Sequence, residues 1–197
     1  MNTKISILLL AFLLVSLGVE AQTTFTLSKE STMKIDGSST VSDWSVEVME
    51  ATGNFTTSED IKIEVGEILY SNLEFSFPVD KMESGRGPIM DSKIKKALIS
   101  DVNPLVTYKS IENKITALDG DKFVLESVGT ITAAGVSKPL TVALNGFFNT
   151  EMKTMSFEGT KDLTMTMFNI EKPTAFFGKL VTKDELNVKF NLSFIKQ

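Results

Sequence analysis

Residues 185–195 alternate apolar and polar side chains without interruption as far as Phe194. Every second position is apolar, and Asn, Lys or Ser fills the positions between them. The apolar positions are Leu186, Val188, Phe190, Leu192 and Phe194. A period of two residues is typical of a β-strand with one buried and one solvated face. This stretch is therefore predicted to be a strand whose apolar face lines an interior shared with other strands.

Similar alternation recurs along the chain, and turn-forming residues such as Asp119-Gly120-Asp121 separate most of the alternating stretches. The other predicted strands cover residues 25–35, 40–48, 61–65, 73–79, 106–111, 115–118, 123–132, 140–148, 153–161 and 162–168. Many short strands joined by turns are typical of an antiparallel barrel or sandwich. The pattern predicts an all-β domain of about eight strands or more, with no internal repeat or linker.

One stretch departs from the strand pattern and predicts a helix over residues 88–100. Apolar residues recur there at helical spacing, at Met90, Ile94, Ala97 and Leu98. Gly85 and Gly87 lie before the stretch, and Pro88 stands at its first position, where proline is favoured. We expect this helix to pack on the strands or to cap them.

The amino terminus has the features of a secretory signal peptide over residues 1–21. Lys4 precedes an apolar run over residues 7–15, and Val19-Glu20-Ala21 places small residues where a signal peptidase cuts. A membrane anchor is the alternative, but the apolar segment stops at Gly18 and is short for a membrane span. The sequence thus predicts a periplasmic or secreted domain over residues 22–197, without a stable membrane anchor.

Composition removes several function classes. The formal net charge is −5, and no basic run offers a surface for nucleic acid. The chain has no His and no Cys, so it lacks the commonest general base, the thiolate nucleophile and the preferred zinc ligands. It also cannot form a disulfide, so its stability depends on its core. We therefore expect no catalytic residue, no metal and no cofactor.

Four stretches resemble the YceI-like family, and together they follow the family's order over nearly the whole predicted domain. Residues 37–44 read Gly-Ser-Ser-Thr-Val-Ser-Asp-Trp, similar to the family's Ser-Thr-x-His-Asp-Trp. Residues 77–98 resemble its strand, loop and helix. Residues 129–139 read Gly-Thr-Ile-Thr-Ala-Ala-Gly-Val-Ser-Lys-Pro, similar to its Gly-x-Leu-Thr-x-x-Gly-x-Thr-Lys-Pro. Residues 173–178, with Asp184-Glu185 and the last strand, resemble its carboxy-terminal end.

The resemblance implies a lipocalin-like antiparallel barrel of about eight strands that binds a polyisoprenoid lipid. On that basis we expect a non-catalytic carrier or store for a quinone or a polyprenyl lipid. Its ligand-binding candidates are the inward positions Trp44, Phe75, Phe77, Phe157, Met165, Met167, Phe190 and Leu192. Ser42 and Arg86 are candidates for contact with the lipid head group. The family often has His where Ser42 stands, so the head group stays open.

Other interpretations remain at this point. Met and Phe at strand spacing are also typical of an ordinary core, which would make the protein an exported structural or interaction domain with no ligand. An enzyme that uses carboxylates alone would need two Asp or Glu in one cleft, and no spacing signals such a pair. Pro78 suggests a strand end or edge, so a homodimer formed by edge pairing is also possible.

Overall fold

The computed structural model describes residues 22–175 and 177–197. The predicted signal peptide, residues 1–21, lies outside the described residues, and so does Phe176 in the fourth family-like stretch. Within these ranges, no helix has both the length and the apolar character that a membrane span requires.

Strands dominate the described part of the chain. They are β1 (Gln22–Leu27), β2 (Thr32–Ser39), β3 (Asp43–Val48), β4 (Thr52–Ser58), β5 (Ser71–Pro78), β6 (Met82–Glu83), β7 (Leu105–Asp119), β8 (Lys122–Ala133), β9 (Val136–Asn149), β10 (Thr154–Thr164), β11 (Thr174–Ala175) and β12 (Leu180–Lys196). Every pairing among them is antiparallel. The alternation over residues 185–195 lies within β12, and the strand predicted there is confirmed.

Eight strands close into a barrel. The hydrogen-bonded order is β1-β4-β5-β7-β8-β9-β10-β12, and β12 pairs with β1 to complete the ring. β2 continues the line of β1 along β12, since Leu27 pairs with Phe194 and Thr32 pairs with Asn191. In the same way, β3 leads into β4 along the chain. The β2–β3 pair therefore extends the part of the wall that β1 and β4 form, farther along the barrel axis. The predicted antiparallel barrel of about eight strands with one helix is confirmed.

We call the end of the barrel with the β2–β3 turn the upper end, and the end with the β7–β8 turn the lower end. The helix, α1 (Pro88–Ala97), lies at the upper end between β6 and β7. Its Ile94, together with Leu98 directly after it, packs against the core. Gly87 before the helix has φ +87°, a conformation that glycine adopts without strain. The helix therefore caps the barrel, which is one of the two arrangements predicted from the sequence; the other was packing on the outside of the strands.

The helix ends three residues before the predicted position 100. Ile99 has φ +53°, a left-handed backbone conformation that does not continue a helix. The amide N–H of Asn103 donates to the carbonyl oxygen of Ile99 at 2.8 Å, which closes the turn after the helix. Local sequence pattern does not reveal this change of conformation.

Several strand predictions differ from the structure. Residues 25–35 are divided between β1 and β2 by a turn at residues 28–31, residues 106–111 and 115–118 both lie within β7, and β4 lies outside every predicted strand. Two other predicted strands do not form. Residues 61–65 form no strand, because β4 and β5 pair directly with each other and leave no partner for a strand between them. Ile61 and Ile63 still pack against the core, which explains their spacing.

The second error concerns residues 162–168, which do not form a separate strand. β10 continues to Thr164, and Thr166–Phe168 then form a 3₁₀ turn. A carboxylate of Asp184 fixes this turn by accepting hydrogen bonds from the amide and the hydroxyl of Thr166, at 3.0 and 2.6 Å. The alternation that predicted a strand therefore comes from a turn with its own buried residues.

Aromatic rings fill the lower half of the barrel. They belong to Phe25, Phe55, Tyr70, Phe123, Phe157 and Phe194. The ring centroids of Phe55 and Tyr70 are 4.2 Å apart, and those of Phe25 and Phe55 are 5.1 Å apart. Rings at such distances contribute stabilisation beyond their area burial. The lower half therefore has a solid aromatic floor.

On the outside of the barrel, Asp36 of β2 connects three neighbouring strands. Its carboxylate lies 2.9 Å from Lys189 Nζ on β12 and accepts a hydrogen bond of 2.7 Å from the hydroxyl of Ser45 on β3. The hydrogen bond from Lys189, followed by that from Ser45, lowers the pKa of Asp36 from 3.8 to about 2. Lys34, at 3.5 Å, adds a smaller favourable charge.

The lowered pKa of Asp36 predicts a loss of stability in acid. Because the folded state holds the carboxylate ionised, its contribution is complete above pH 3.8 and is lost as the pH falls towards 2. Solvent screening limits this contribution to about 1 kcal/mol. We expect urea unfolding of Asp36→Asn to show a smaller decrease in stability between pH 5 and pH 2 than the wild type shows. An identical decrease in both proteins would contradict this assignment.

Candidate functional site: an apolar cavity in the barrel

Above the aromatic floor the barrel encloses a cavity of about 170 Å³. Among the described residues, its accessible wall consists of apolar atoms. The lining comes from nearly every strand of the upper half and includes Met33, Ile35, Val48, Leu73, Phe75, Phe77, Met82, Val106, Tyr108, Ile131, Val142, Leu144, Leu163, Val188, Phe190 and Leu192. Such a wall can hold a hydrocarbon chain.

The upper end of this cavity is covered. Leu98, directly after α1, and Phe168 and Ile170, from the turn after β10, all line the cavity. Phe168 is 3% and Ile170 is 9% exposed, and both belong to a second apolar cluster with Leu163 and Met165. The capping helix and the 3₁₀ turn therefore close the upper end in this conformation.

The cavity brings together half of the ligand-binding candidates from the sequence. Phe75 and Phe77 of β5 line it, as do Phe190 and Leu192 of β12. All four point inward because each lies in phase with the buried positions of its strand.

The other four candidates lie elsewhere. Phe157 belongs to the aromatic floor, where its ring centroid is 6.0 Å from those of Phe123 and Phe194. Met165 is buried in the second apolar cluster. Met167 lies beside that cluster and faces an outer groove between β2, β3, β10 and β12. Both methionines occupy the turn after β10, and this is why strand spacing misplaced them.

Trp44 lies in the wall near the upper end, where it packs on the apolar clusters and also lines the outer groove beside Met167. A Cβ atom built on Gly37 of the neighbouring strand would lie 2.2 Å from the indole ring, so the ring lies directly over this glycine. The indole Nε1 donates to the carbonyl oxygen of Ser38 at 3.1 Å. Trp44 contacts both apolar clusters and shapes the wall beside the cavity.

The two head-group candidates meet at the upper rim, outside the cavity. The guanidinium of Arg86 donates to the carbonyl oxygen of Asp43 at 2.6 Å, and Ser42 directly precedes Asp43. Both Arg86 and Ser42 are exposed. The carbonyl oxygen of Ser42 accepts from the hydroxyl of Ser39 at 2.8 Å, which fixes the β2–β3 turn.

Sequence reasoning missed three polar residues of the lining: Tyr108, Ser127 and Lys161. The sequence did contain a signal for them, because each stands at a position of the alternation that faces the barrel interior. Lys161, for example, follows Met155, Phe157 and Gly159 at intervals of two residues in β10.

Tyr108 and Ser127 start a buried chain of hydrogen bonds at the base of the cavity. Their hydroxyl oxygens are 2.8 Å apart, and Ser127 donates to the side-chain oxygen of Asn113 at 2.7 Å. Asn113 in turn donates to the hydroxyl of Ser110 at 2.7 Å. Burial raises the pKa of Tyr108, so its phenol stays neutral near pH 7. These polar groups satisfy one another and leave the cavity wall apolar.

No group of three or more His, Cys, Asp or Glu side chains could hold a metal ion in residues 22–175 and 177–197. The acidic residues around the outer groove between β2, β3, β10 and β12, including Asp36, Asp43 and Asp162, lie on the opposite side of the wall from the apolar cavity.

Comparison with solved structures finds the same barrel in distant proteins. A polyisoprenoid binding domain from Saccharophagus degradans, implicated in plant cell wall breakdown, superimposes with a TM-score of 0.67 at 11% identity, over 88% of this chain and 98% of that one. Burkholderia cenocepacia BcnA gives 0.62 at 15% identity, over 83% and 95%. The Campylobacter jejuni YCEI protein gives 0.56 at 14% identity, over 75% and 82%.

A search of curated proteins finds no match to this chain. The model of the YceI-like domain, in contrast, matches residues 19–194. This match includes seven strands of the barrel in full, β12 as far as residue 194, the capping helix and all four stretches in which the resemblance was first seen. The chain therefore belongs to the YceI-like domain family.

Proposed function

We propose that this protein binds an amphiphile with an isoprenoid tail, such as a quinone or a polyprenyl lipid, inside its barrel, and acts as a carrier or store without catalysis. The observation that carries the proposal is the cavity of about 170 Å³ with an apolar wall above the aromatic floor. The Saccharophagus degradans neighbour is described as a polyisoprenoid binding domain, and its fold extends over 88% of this chain. Both support a lipid ligand.

Apolar burial alone gives enough free energy for such binding. Removing about 400 Å² of isoprenoid surface from water yields on the order of 10 kcal/mol before the entropic cost of association is subtracted. After an association cost of about 4 kcal/mol, about 6 kcal/mol remains, which corresponds to a Kd of tens of micromolar. Tighter binding of such a ligand requires more buried chain or a polar contact.

The size of the cavity sets a condition on binding. Its 170 Å³ is comparable to an apolar cavity that accepts a single benzene ring, so it holds a short part of an isoprenoid chain. A longer chain requires the upper end or the wall to open. The turn with Phe168 and the segment around Leu98 would have to move outward for the upper end to open, and both pack at the opposite end of the barrel from the aromatic floor.

Export is part of the proposal. The signal-peptide pattern over residues 1–21 supports a periplasmic or secreted location, where a carrier would move lipid between membranes through water. The lack of any Cys is compatible with this location, since the aromatic floor supplies stability that small exported domains commonly take from disulfides.

A packed structural or interaction domain is the second candidate, favoured by the filled lower half and the covered upper end. Extraction of the purified protein with organic solvent, followed by mass spectrometry, separates the two functions. Lipid carriage predicts a stoichiometric isoprenoid lipid in the extract from at least one of several expression hosts. Extracts without such a lipid from every host would favour the packed domain.

A further inference from the structure

The barrel wall has an unpaired seam between β9 and β10. Their ladder runs from the pair Thr154–Asn149 to the pair Glu158–Asn145 and then stops. β10 meanwhile continues its pairing with β12 as far as Thr164–Glu185. We call the gap between residues 136–144 of β9 and residues 159–164 of β10 the seam. It lies beside the upper half of the barrel, where the cavity is.

The wall at the lower end of the seam is one side chain thick. Phe190 lines the internal cavity and also a second outer groove, which includes Ala143, Gly159 and Thr160. A Cβ atom built on Gly159 would lie 2.9 Å from the Phe190 ring, so this ring rests against the bare glycine backbone. The Phe190 ring therefore separates the cavity from this groove.

Lys161 spans the seam. It lies in the inward phase of β10 and lines the cavity, yet the accessible cavity wall is apolar, so its aliphatic stem faces the cavity. Its Nζ donates to the carbonyl oxygen of Thr141 on β9 at 2.7 Å. An ammonium group has three donors, and this bond uses one of them.

The charge of Lys161 lacks a carboxylate partner. Lys34 and Lys189 of the second outer groove both form ion pairs with Asp36. Among the described residues, no ion pair within 4.0 Å includes Lys161. A cation at the edge of an apolar cavity is stabilised when an anion completes its hydrogen bonds. Lys138, also in the seam, is likewise absent from these ion pairs, but it does not line the cavity. Lys161 is thus the cavity-lining cation of the seam that can accept an anionic partner.

We propose that Lys161 binds the anionic head group, phosphate or carboxylate, of an amphiphile whose chain enters the cavity through the seam. The inference rests on the proposed lipid binding and makes it more specific, because it favours a charged isoprenoid over a neutral one. The head group would replace or join the Thr141 carbonyl oxygen at Nζ, and the chain would lie against Phe190 and the apolar wall beyond it.

The test compares two probes with the same chain, farnesyl phosphate and farnesol, together with inorganic phosphate, by isothermal titration calorimetry. We expect Lys161→Met to weaken farnesyl phosphate binding about tenfold and to leave farnesol binding within about twofold. Lys161→Arg should keep most of the affinity for farnesyl phosphate, because it preserves the charge. Lys114→Met, on the outer face of β7, is the matched control and should change neither affinity. Inorganic phosphate should not bind.

Each other result has a defined meaning. Equal losses for both probes in Lys161→Met, or no loss for either, would overturn the assignment of Lys161. Binding of inorganic phosphate that disappears in Lys161→Met would also overturn it, since the site would then be a free-phosphate site. A wild type that binds neither isoprenoid would remove the proposed function itself. Melting temperatures measured on every variant show whether the barrel stays folded.

Discussion

Replacement of Phe157 by alanine is expected to lower the free energy of unfolding by about 3–5 kcal/mol. Phe157 is 2% exposed and is surrounded by other rings, with centroids 5.9 Å away at Tyr70 and 6.0 Å away at Phe123. Since Tyr70 lies directly before β5 and Phe123 lies in β8, these neighbours are held by separate segments and cannot collapse easily into the space that the truncation leaves. Urea unfolding followed by the fluorescence of the single tryptophan, Trp44, measures the change.

The matched control is Phe147→Ala, because Phe147 is 38% exposed on β9 and should cost less than about 1 kcal/mol. Farnesol affinity should stay within about twofold in Phe157→Ala wherever the variant is folded, since Phe157 does not line the cavity. A large loss of affinity together with unchanged stability would contradict the assignment of this ring to the floor.

Replacement of Val142 by tryptophan is expected to weaken isoprenoid binding about 60-fold. Val142 is 8% exposed and points into the cavity from β9, so an indole ring would occupy much of its 170 Å³. A ligand that loses about 100 Å² of apolar burial loses about 2.5 kcal/mol. Calorimetric titration with farnesol measures the loss.

Stability distinguishes blocked binding from a damaged fold. The added ring has space beside it, so Val142→Trp should change the free energy of unfolding by less than about 1.5 kcal/mol. Thr130→Trp places the same ring on the outer face of β8, where Thr130 is exposed, and should leave affinity unchanged. Equal affinities of Val142→Trp and the wild type would show that the ligand does not use this cavity.

Much of the fold could be predicted from sequence because alternation in a barrel directly reports which face is buried. β12 shows this best, since its apolar phase from Leu186 to Phe194 faces the interior throughout. The errors arise where an apolar residue is buried without a strand. Ile61 packs from a loop, and Met165 is held by a turn that Asp184, nineteen residues later, stabilises.

The candidate site could be predicted less well. Alternation shows that a side chain points inward, but it does not show how far along the barrel axis that side chain lies. Phe157 and Phe190 are both in the inward phase of their strands, yet one belongs to the floor and the other to the cavity wall. The register between strands sets that height, and register depends on bulges such as the one between Thr182 and Leu186. The seam at Lys161 depends on the same long-range pairing.

Calorimetric titration of the delipidated wild-type protein with farnesol at several temperatures tests the central claim most directly. An apolar cavity that takes an isoprenoid chain predicts saturable binding of one ligand per protein with a negative heat-capacity change. Heats that do not saturate at any temperature, in a protein that melts cooperatively, would contradict it.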